Sequence, residues 1–263
     1  MKRDFISIDN FTPAELSQTL KLAAWLKKAR RTPGELRPLV GRSMAMIFEK
    51  PSLRTRVTFE VAMVELGGHA LELQSQGIQL GERESVPDVA HNLERWVDIV
   101  IARVYRNETV RILADNMRVP VINALCDMEH PCQAVADLLT VAEISGKKFP
   151  RVKMAYVGDG NNVCHSLMLI CAALGVDLCV SSPEGYEPRE QFTVRTRELA
   201  ALSGASYTFT RDPEKAVRGA DFIYTDVWAS MGQEAEAETR RRQFQAYQIN
   251  SRLVRGAAED FSV

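Results

Sequence analysis

Short apolar runs alternate with helix-period segments along almost the whole chain, and no other feature constrains its fold as strongly. Runs that read as buried strands lie at 44–48, 69–73, 99–104, 120–125, 152–157, 177–180, 207–210 and 222–226. Between them, helical patterns open on cap or proline residues such as Thr12-Pro13, Ser52 and Pro131. The spacing predicts helices over 13–29, 87–97, 108–117, 131–145, 163–174 and 189–202, and a polar helix over 235–247. Strands separated by helices of this length cannot pair as hairpins. The chain must cross over and return, which builds parallel sheets covered by helices. A lysine-bearing break at 147–151 divides two such series. The expected fold is α/β: two doubly wound parallel-sheet domains joined by a helix, 1–148 and 149–263, the second Rossmann-like.

Composition narrows the function. The chain of 263 residues is 46% hydrophobic and 25% charged, with a formal net charge of -1. That balance speaks against a nucleic-acid binder or a membrane-surface protein. Met1-Lys-Arg-Asp leads into no apolar leader segment, and no run reaches membrane-spanning length. The five cysteines form an odd set with no Cys-x-x-Cys pair, several in apolar surroundings. They read as packed thiols in a reducing compartment, so a cytoplasmic location is expected.

The chemistry gathers where strands end. Phe48-Glu-Lys-Pro-Ser-Leu-Arg-Thr-Arg56 joins a buried strand to a helix, with Ser52 at the N-cap position. Free amides at Leu53, Arg54 and Thr55, the helix dipole and the charges of Arg54 and Arg56 describe an anion site. The plain alternative is a capped, solvated helix start with two surface arginines. Arg103 interrupts an apolar strand, and His130-Pro-Cys-Gln133 opens a later helix. Together these three places describe a pocket for a small dianion. In the second series, Gly158-Asp-Gly160 lacks the third glycine of a dinucleotide fingerprint, and no acidic residue ends the next strand. Asn161, Asn162 and the segment from Asp226 through Ser230 and Met231 could hold an amino-acid head group. His69, His91 and His165 read as structural. Neither a metal constellation nor a cofactor is expected.

These motifs, taken with Ala102-Arg-Val-Tyr105 and Asp226-Val-Trp-Ala-Ser-Met-Gly232, resemble in order those of the aspartate/ornithine carbamoyltransferase family, and within it the ornithine enzymes. The resemblance implies that Ser52, Leu53 (through its amide), Arg54, Thr55, Arg103, His130 and Gln133 bind carbamoyl phosphate. Arg54, Arg103 and His130 would be the catalytic residues. It implies L-ornithine at Asn162, Asp226, Ser230 and Met231. Gln79 would be lent to a neighbouring subunit's carbamoyl phosphate site in a homotrimer or a multiple of trimers. The implied reaction carries the carbamoyl group to the δ-amine of ornithine, giving citrulline and phosphate in arginine synthesis or breakdown.

Two departures qualify the resemblance. Leu53 stands where many members have threonine. The family also continues past the equivalent of Val263, into a His-Cys-Leu-Pro segment and a helix that returns to the apolar face of helix 13–29. The end of this chain, Ala257 to Val263, reads as the start of a further strand. A truncated chain is therefore expected, with part of that face uncovered. The alternatives are a non-catalytic carbamoyl phosphate-binding homologue or an inactive truncated form, and N-acylated ornithine or putrescine as substrate. A nicotinamide-dependent dehydrogenase is disfavoured by the broken glycine pattern.

Overall fold

The structure, a computed structural model, describes residues 2–30, 36–74, 80–81, 83–146, 149–229 and 234–263. The chain divides into two compact units. One comprises Met1–Phe11 and Gln18–Cys132, the other Thr12–Ser17 and Gln133–Val263. The helices α1 (Pro13–Ala29) and α5 (Pro131–Ser145) each contribute residues to both.

The first unit is built on four parallel strands: β1 (Ser43–Phe48), β2 (His69–Gln74), β3 (Ile99–Arg103) and β4 (Val121–Leu125), in the order β2-β1-β3-β4. The crossovers are α2 (Leu53–Glu65), α3 (Val86–Leu93) and α4 (Asn107–Asn116). Met44, Ala45, Met46, Ile47, Val100, Ile101 and Ala102 are buried, as expected of central strands covered on both faces. One face packs Met44, Met46 and Phe48 with Met63 of α2. The other packs Ala45 and Ile47 with Val89 and Leu93 of α3 and Val110 and Leu113 of α4. Near the N-terminus, Phe5 bridges to β4 at Ile122.

The second unit repeats the plan with β5 (Lys153–Val157), β6 (Asp177–Ser181), β7 (Tyr207–Thr210) and β8 (Phe222–Tyr224), parallel, in the order β7-β6-β5-β8. Between them run α6 (Asn162–Leu174), α7 (Glu190–Ser203) and α8 (Pro213–Ala216), with α9 (Ala237–Gln243) after the last strand. In α6 every residue from Val163 to Ala173 is buried, because sheet and α7 close over it from two sides. Both sheets are therefore the parallel, doubly wound α/β sheets expected.

Some boundaries differ from the sequence reading. The helix expected over 87–97 ends at Leu93, and Trp96 is exposed. The polar helix expected over 235–247 is a single short α-helix, Ala237–Gln243, flanked by 3-10 turns at Glu234–Glu236 and Gln245–Tyr247. On α1, Leu16 and Leu20 are buried while Leu22 is exposed, so the face is not one open stripe. Of Ala257–Val263, expected to read as the start of a further strand, only Ser262 pairs with the sheet, through an isolated parallel bridge to Phe222 of β8.

Candidate active site

In each sheet the strand order reverses once, between β1 and β3 in the first unit and between β5 and β8 in the second. Ligands of open α/β sheets bind in the crevice at such a switch point, beyond the carboxyl ends of the strands. The expected site residues divide between these two places.

In the first unit, Ser52 caps α2, and its hydroxyl accepts the Thr55 amide at 3.3 Å. The first amides of α2 have no carbonyl four residues back within the helix, and the Ser52 side chain supplies an acceptor for one of them. Leu53 and Arg54 are exposed and Thr55 half-buried. Across the switch point, Arg103 ends β3, and its Nη1 donates to the Thr55 hydroxyl at 3.4 Å. The Arg103 Nε is buried without a hydrogen-bond partner among the described residues. Burial, and then the charge of Arg54, lower the Arg103 pKa. His130 follows β4, and burial with the charge of Arg103 lowers its pKa to about 4. Lys50 is also lowered, by burial first and by Arg103 next, and its ammonium sits 4.8 Å from the centroid of the Tyr105 ring. Cationic groups that depress one another in a half-buried place form a site whose natural occupant is an anion. His130 is neutral near pH 7, so it offers hydrogen-bonding nitrogens rather than a full charge. Cys132, two residues on, is pushed up to about 12 by burial and is no nucleophile at neutral pH.

Arg56 departs from the expectation. Its guanidinium pairs with Glu72 of β2 at 2.8 Å, so it braces the helix to the edge strand instead of adding charge to the anion site.

In the second unit, Asn161 caps α6, accepting the amides of Val163 and Cys164. Its Nδ2 donates to Asp226 beyond β8 at 3.0 Å, tying the two strand ends together. Asn162 is half-buried at the first helical position, its side chain accepting the Val163 amide. Beneath them, the buried Tyr156 hydroxyl donates to the Asp159 carbonyl at 2.8 Å. Gln133 lies on α5 and donates to Asp137 at 2.8 Å. Ser230, Met231 and Gln79 lie outside the described residues.

The sequence reading missed the polar centre of this unit. Arg240 on α9 is buried, and its Nη1 reaches Asp159 at 2.7 Å and the Trp228 carbonyl at 3.1 Å. Its guanidinium also lies 4.7 Å from the Tyr186 ring centroid. Burial raises the Asp159 pKa while Arg240 pulls it back. One arginine thereby fastens the segment after Asp226 to the turn after β5. The partners are 81 residues apart, and nothing local marks Arg240 among its polar neighbours.

The same turn excludes a dinucleotide role. A Cβ on Gly160 would fall 2.2 Å from the Pro188 nitrogen, and the Gly160 amide donates to the Tyr186 carbonyl at 2.8 Å. The glycine serves a chain crossing above it, where a pyrophosphate would otherwise need room. His165 is likewise structural: it stacks on Phe192 with centroids 4.0 Å apart and accepts the Arg189 amide.

Comparison with known proteins follows the same division. Residues 3–143 match the family model of the aspartate/ornithine carbamoyltransferase carbamoyl-P binding domain, and residues 151–263 that of the Asp/Orn binding domain. The chain is 48% identical over 259 residues to an ornithine carbamoyltransferase of Anoxybacillus flavithermus, covering 98% of this chain and 82% of that one. It superposes on the ornithine carbamoyltransferase structure from Pyrococcus furiosus with a TM-score of 0.95 at 50% identity, covering 98% of this chain and 82% of that one. For the Thermus thermophilus enzyme the TM-score is 0.87 at 43% identity, with 99% and 84% covered. With models of the family's two domains matching residues 3–143 and 151–263 and about half the residues shared with such relatives, the chain belongs to the aspartate/ornithine carbamoyltransferase family.

Proposed function

We propose that the protein transfers the carbamoyl group of carbamoyl phosphate to the δ-amine of L-ornithine, giving L-citrulline and phosphate. The observation that carries this reading is the pair of switch-point sites, one cationic and one acidic, in a chain of this family. The domains are 1–148 for carbamoyl phosphate and 149–263 for ornithine.

Carbamoyl phosphate would take its phosphate to the amides of Leu53 and Arg54, the hydroxyls of Ser52 and Thr55 and the guanidinium of Arg54; the Thr55 amide is already taken by the Ser52 cap. Arg103 and His130 would face the carbonyl oxygen, with Gln133 at the carbamoyl nitrogen. When the amine attacks the carbonyl carbon, negative charge grows on that oxygen and then on the departing phosphate. Donors already fixed in place stabilise it without reorganisation. A neutral His130 suits the task, since it can donate to the oxyanion without having to shed a charge first.

Ornithine would lie at Asn162, Asp226, Ser230 and Met231. With an amine pKa of about 10.4, deprotonation near neutral pH costs roughly 4 kcal/mol. Asp226 orients the ammonium but does not lower that cost, because an anion favours the charged form.

The assembly is a homotrimer or a multiple of trimers, with Gln79 reaching a neighbour's site. In support, α2 carries Leu53, Val57, Val61 and Val64 along one face, all exposed. A cytoplasmic location fits five cysteines with no disulfide between them, and no described helix is long and apolar enough to cross a membrane.

The test is product formation from carbamoyl phosphate with ornithine, N-acetylornithine, putrescine or aspartate as acceptor. Citrulline from ornithine, at the highest kcat/KM of the four, is expected. Faster carbamoylation of another acceptor, or no transfer at all, would overturn the reading.

A further inference from the structure

Gln133 and Asp137 stand one turn apart on α5 within the second unit, and the Gln133 Nε2 donates to Asp137 Oδ1 at 2.8 Å. Both side chains are partly buried; burial raises the Asp137 pKa, the hydrogen bonds from Gln133 and Tyr224 pull it back down, and the nearby Asp226 raises it again. An ionised carboxylate only accepts hydrogen bonds, whereas a carboxamide can present either its oxygen or its NH2 group. Asp137 therefore draws the NH2 of Gln133 to itself and leaves the amide oxygen as the group Gln133 can offer a ligand.

We propose that Asp137 is a positioning residue that fixes the Gln133 side chain as a hydrogen-bond acceptor, so that the site selects a carbamoyl group over an acyl group of the same shape. The inference rests on the reading above, in which Gln133 meets carbamoyl phosphate. The carbamoyl NH2 is the substrate's donor at the reacting carbon. An acetyl group has a methyl there and would leave the Gln133 oxygen unpaired on binding, which is how polar sites reject isosteres. Were the amide turned over, its NH2 would face the carbamoyl NH2, and the preference would be lost. If Asp137 were absent, the ligand would have to order the amide itself.

The experiment uses two stable probes, phosphonoacetamide and the methyl ketone in which CH3 replaces its NH2, titrated calorimetrically. The unmodified protein is expected to prefer the amide by roughly tenfold. Gln133→Leu should abolish the preference. Asp137→Leu should weaken the amide about three- to tenfold, the usual cost of ordering one free side chain, and leave the ketone unchanged. Asp137→Asn, nearly isosteric, lets the two amides pair in either sense and should cost the amide probe about twofold. Asp137→Glu keeps an acceptor and should keep the preference. A purely structural pair would instead weaken both probes together or lower the melting temperature with the ratio intact.

An unchanged ratio in Asp137→Leu overturns the proposal, and if that variant does not fold, the Asn variant decides. Loss of the preference in Gln133→Leu but not in the Asp137 variants sinks only this inference. Retention in Gln133→Leu as well removes the reading on which it rests.

Discussion

His130 and Arg240 show at the level of single residues what burial does to charge. The His130 ring has a folded pKa near 4, while an unfolded histidine titrates at about 6.5. Between those values the unfolded chain binds more protons than the folded one, so stability rises with pH across this window and is fully present above 6.5. The whole shift corresponds to roughly 3 kcal/mol at most. Denaturant midpoints of the wild type should therefore fall more steeply from pH 6.5 to pH 4 than those of His130→Gln. Parallel curves would show that the ring takes a proton at no cost. Arg240 gives a second prediction. Its side chain is 8% exposed and that of Asp159 12%, so removing one partner leaves a buried charge behind. Arg240→Ala is expected to cost about 3–5 kcal/mol. The double variant Arg240→Met with Asp159→Asn should recover part of that loss, and additive losses in chemical denaturation would count against the pair. Legibility at this scale follows distance along the chain. Ser52 and Arg103 were readable because a cap before a helix and a charge in an apolar strand are local anomalies. Asp159 was read only as part of a glycine turn, because its partner lies in a polar stretch 81 residues away.

Among the elements, α2 separates what periodicity reveals from what it hides. The sequence pattern identified Val57, Val61, Met63, Val64 and Leu66 as apolar positions, and the helix forms with Ser52 as its cap as expected. Of these only Met63 is buried, packed on the Met46 face of the sheet. Spacing shows that side chains share a face; it does not show whether the same chain covers that face. Such a stripe on a helix neighbouring an edge strand is the usual mark of a contact between chains. The protein should sediment at three times its 29.5 kDa mass or a multiple of that. If this stripe meets a second chain, Val61→Glu should shift the population toward single chains. A wild type that sediments as a monomer would end the argument. The strand boundaries were legible for the opposite reason: central parallel strands are apolar on both faces, and few other segments are. The α3 end at Leu93 was not, since Trp96 and Val97 extend the helical period although the backbone has already turned.

At the scale of the whole molecule, the two units have separate sheets and separate cores, each sheet with its own switch point. Each substrate should therefore protect its own unit, and hydrogen exchange can read the two apart. Carbamoyl phosphate, or a stable analogue such as phosphonoacetamide, should slow exchange at 48–58, 102–107 and 126–133, where the cationic groups and the α2 amides lie. Ornithine added afterwards should slow exchange at 156–164 and 222–229, around Asn161 and Asp226. Binding to the folded state alone adds about 2.7 kcal/mol at a ligand concentration of 100 times Kd. For a chain of this size that corresponds to a rise in Tm of at least about 5 °C, a shift easily resolved by calorimetry. If a ligand binds only its own unit, the slow exchange of the other unit's central strands should be unchanged while the first unit's slows. Protection by the analogue confined to 156–164 and 222–229, with none at 48–58, would reverse the assignment of the two sites. Equal protection of both sets by each ligand alone would mean that the units bind as one body, and the division of substrates between them would have to be abandoned.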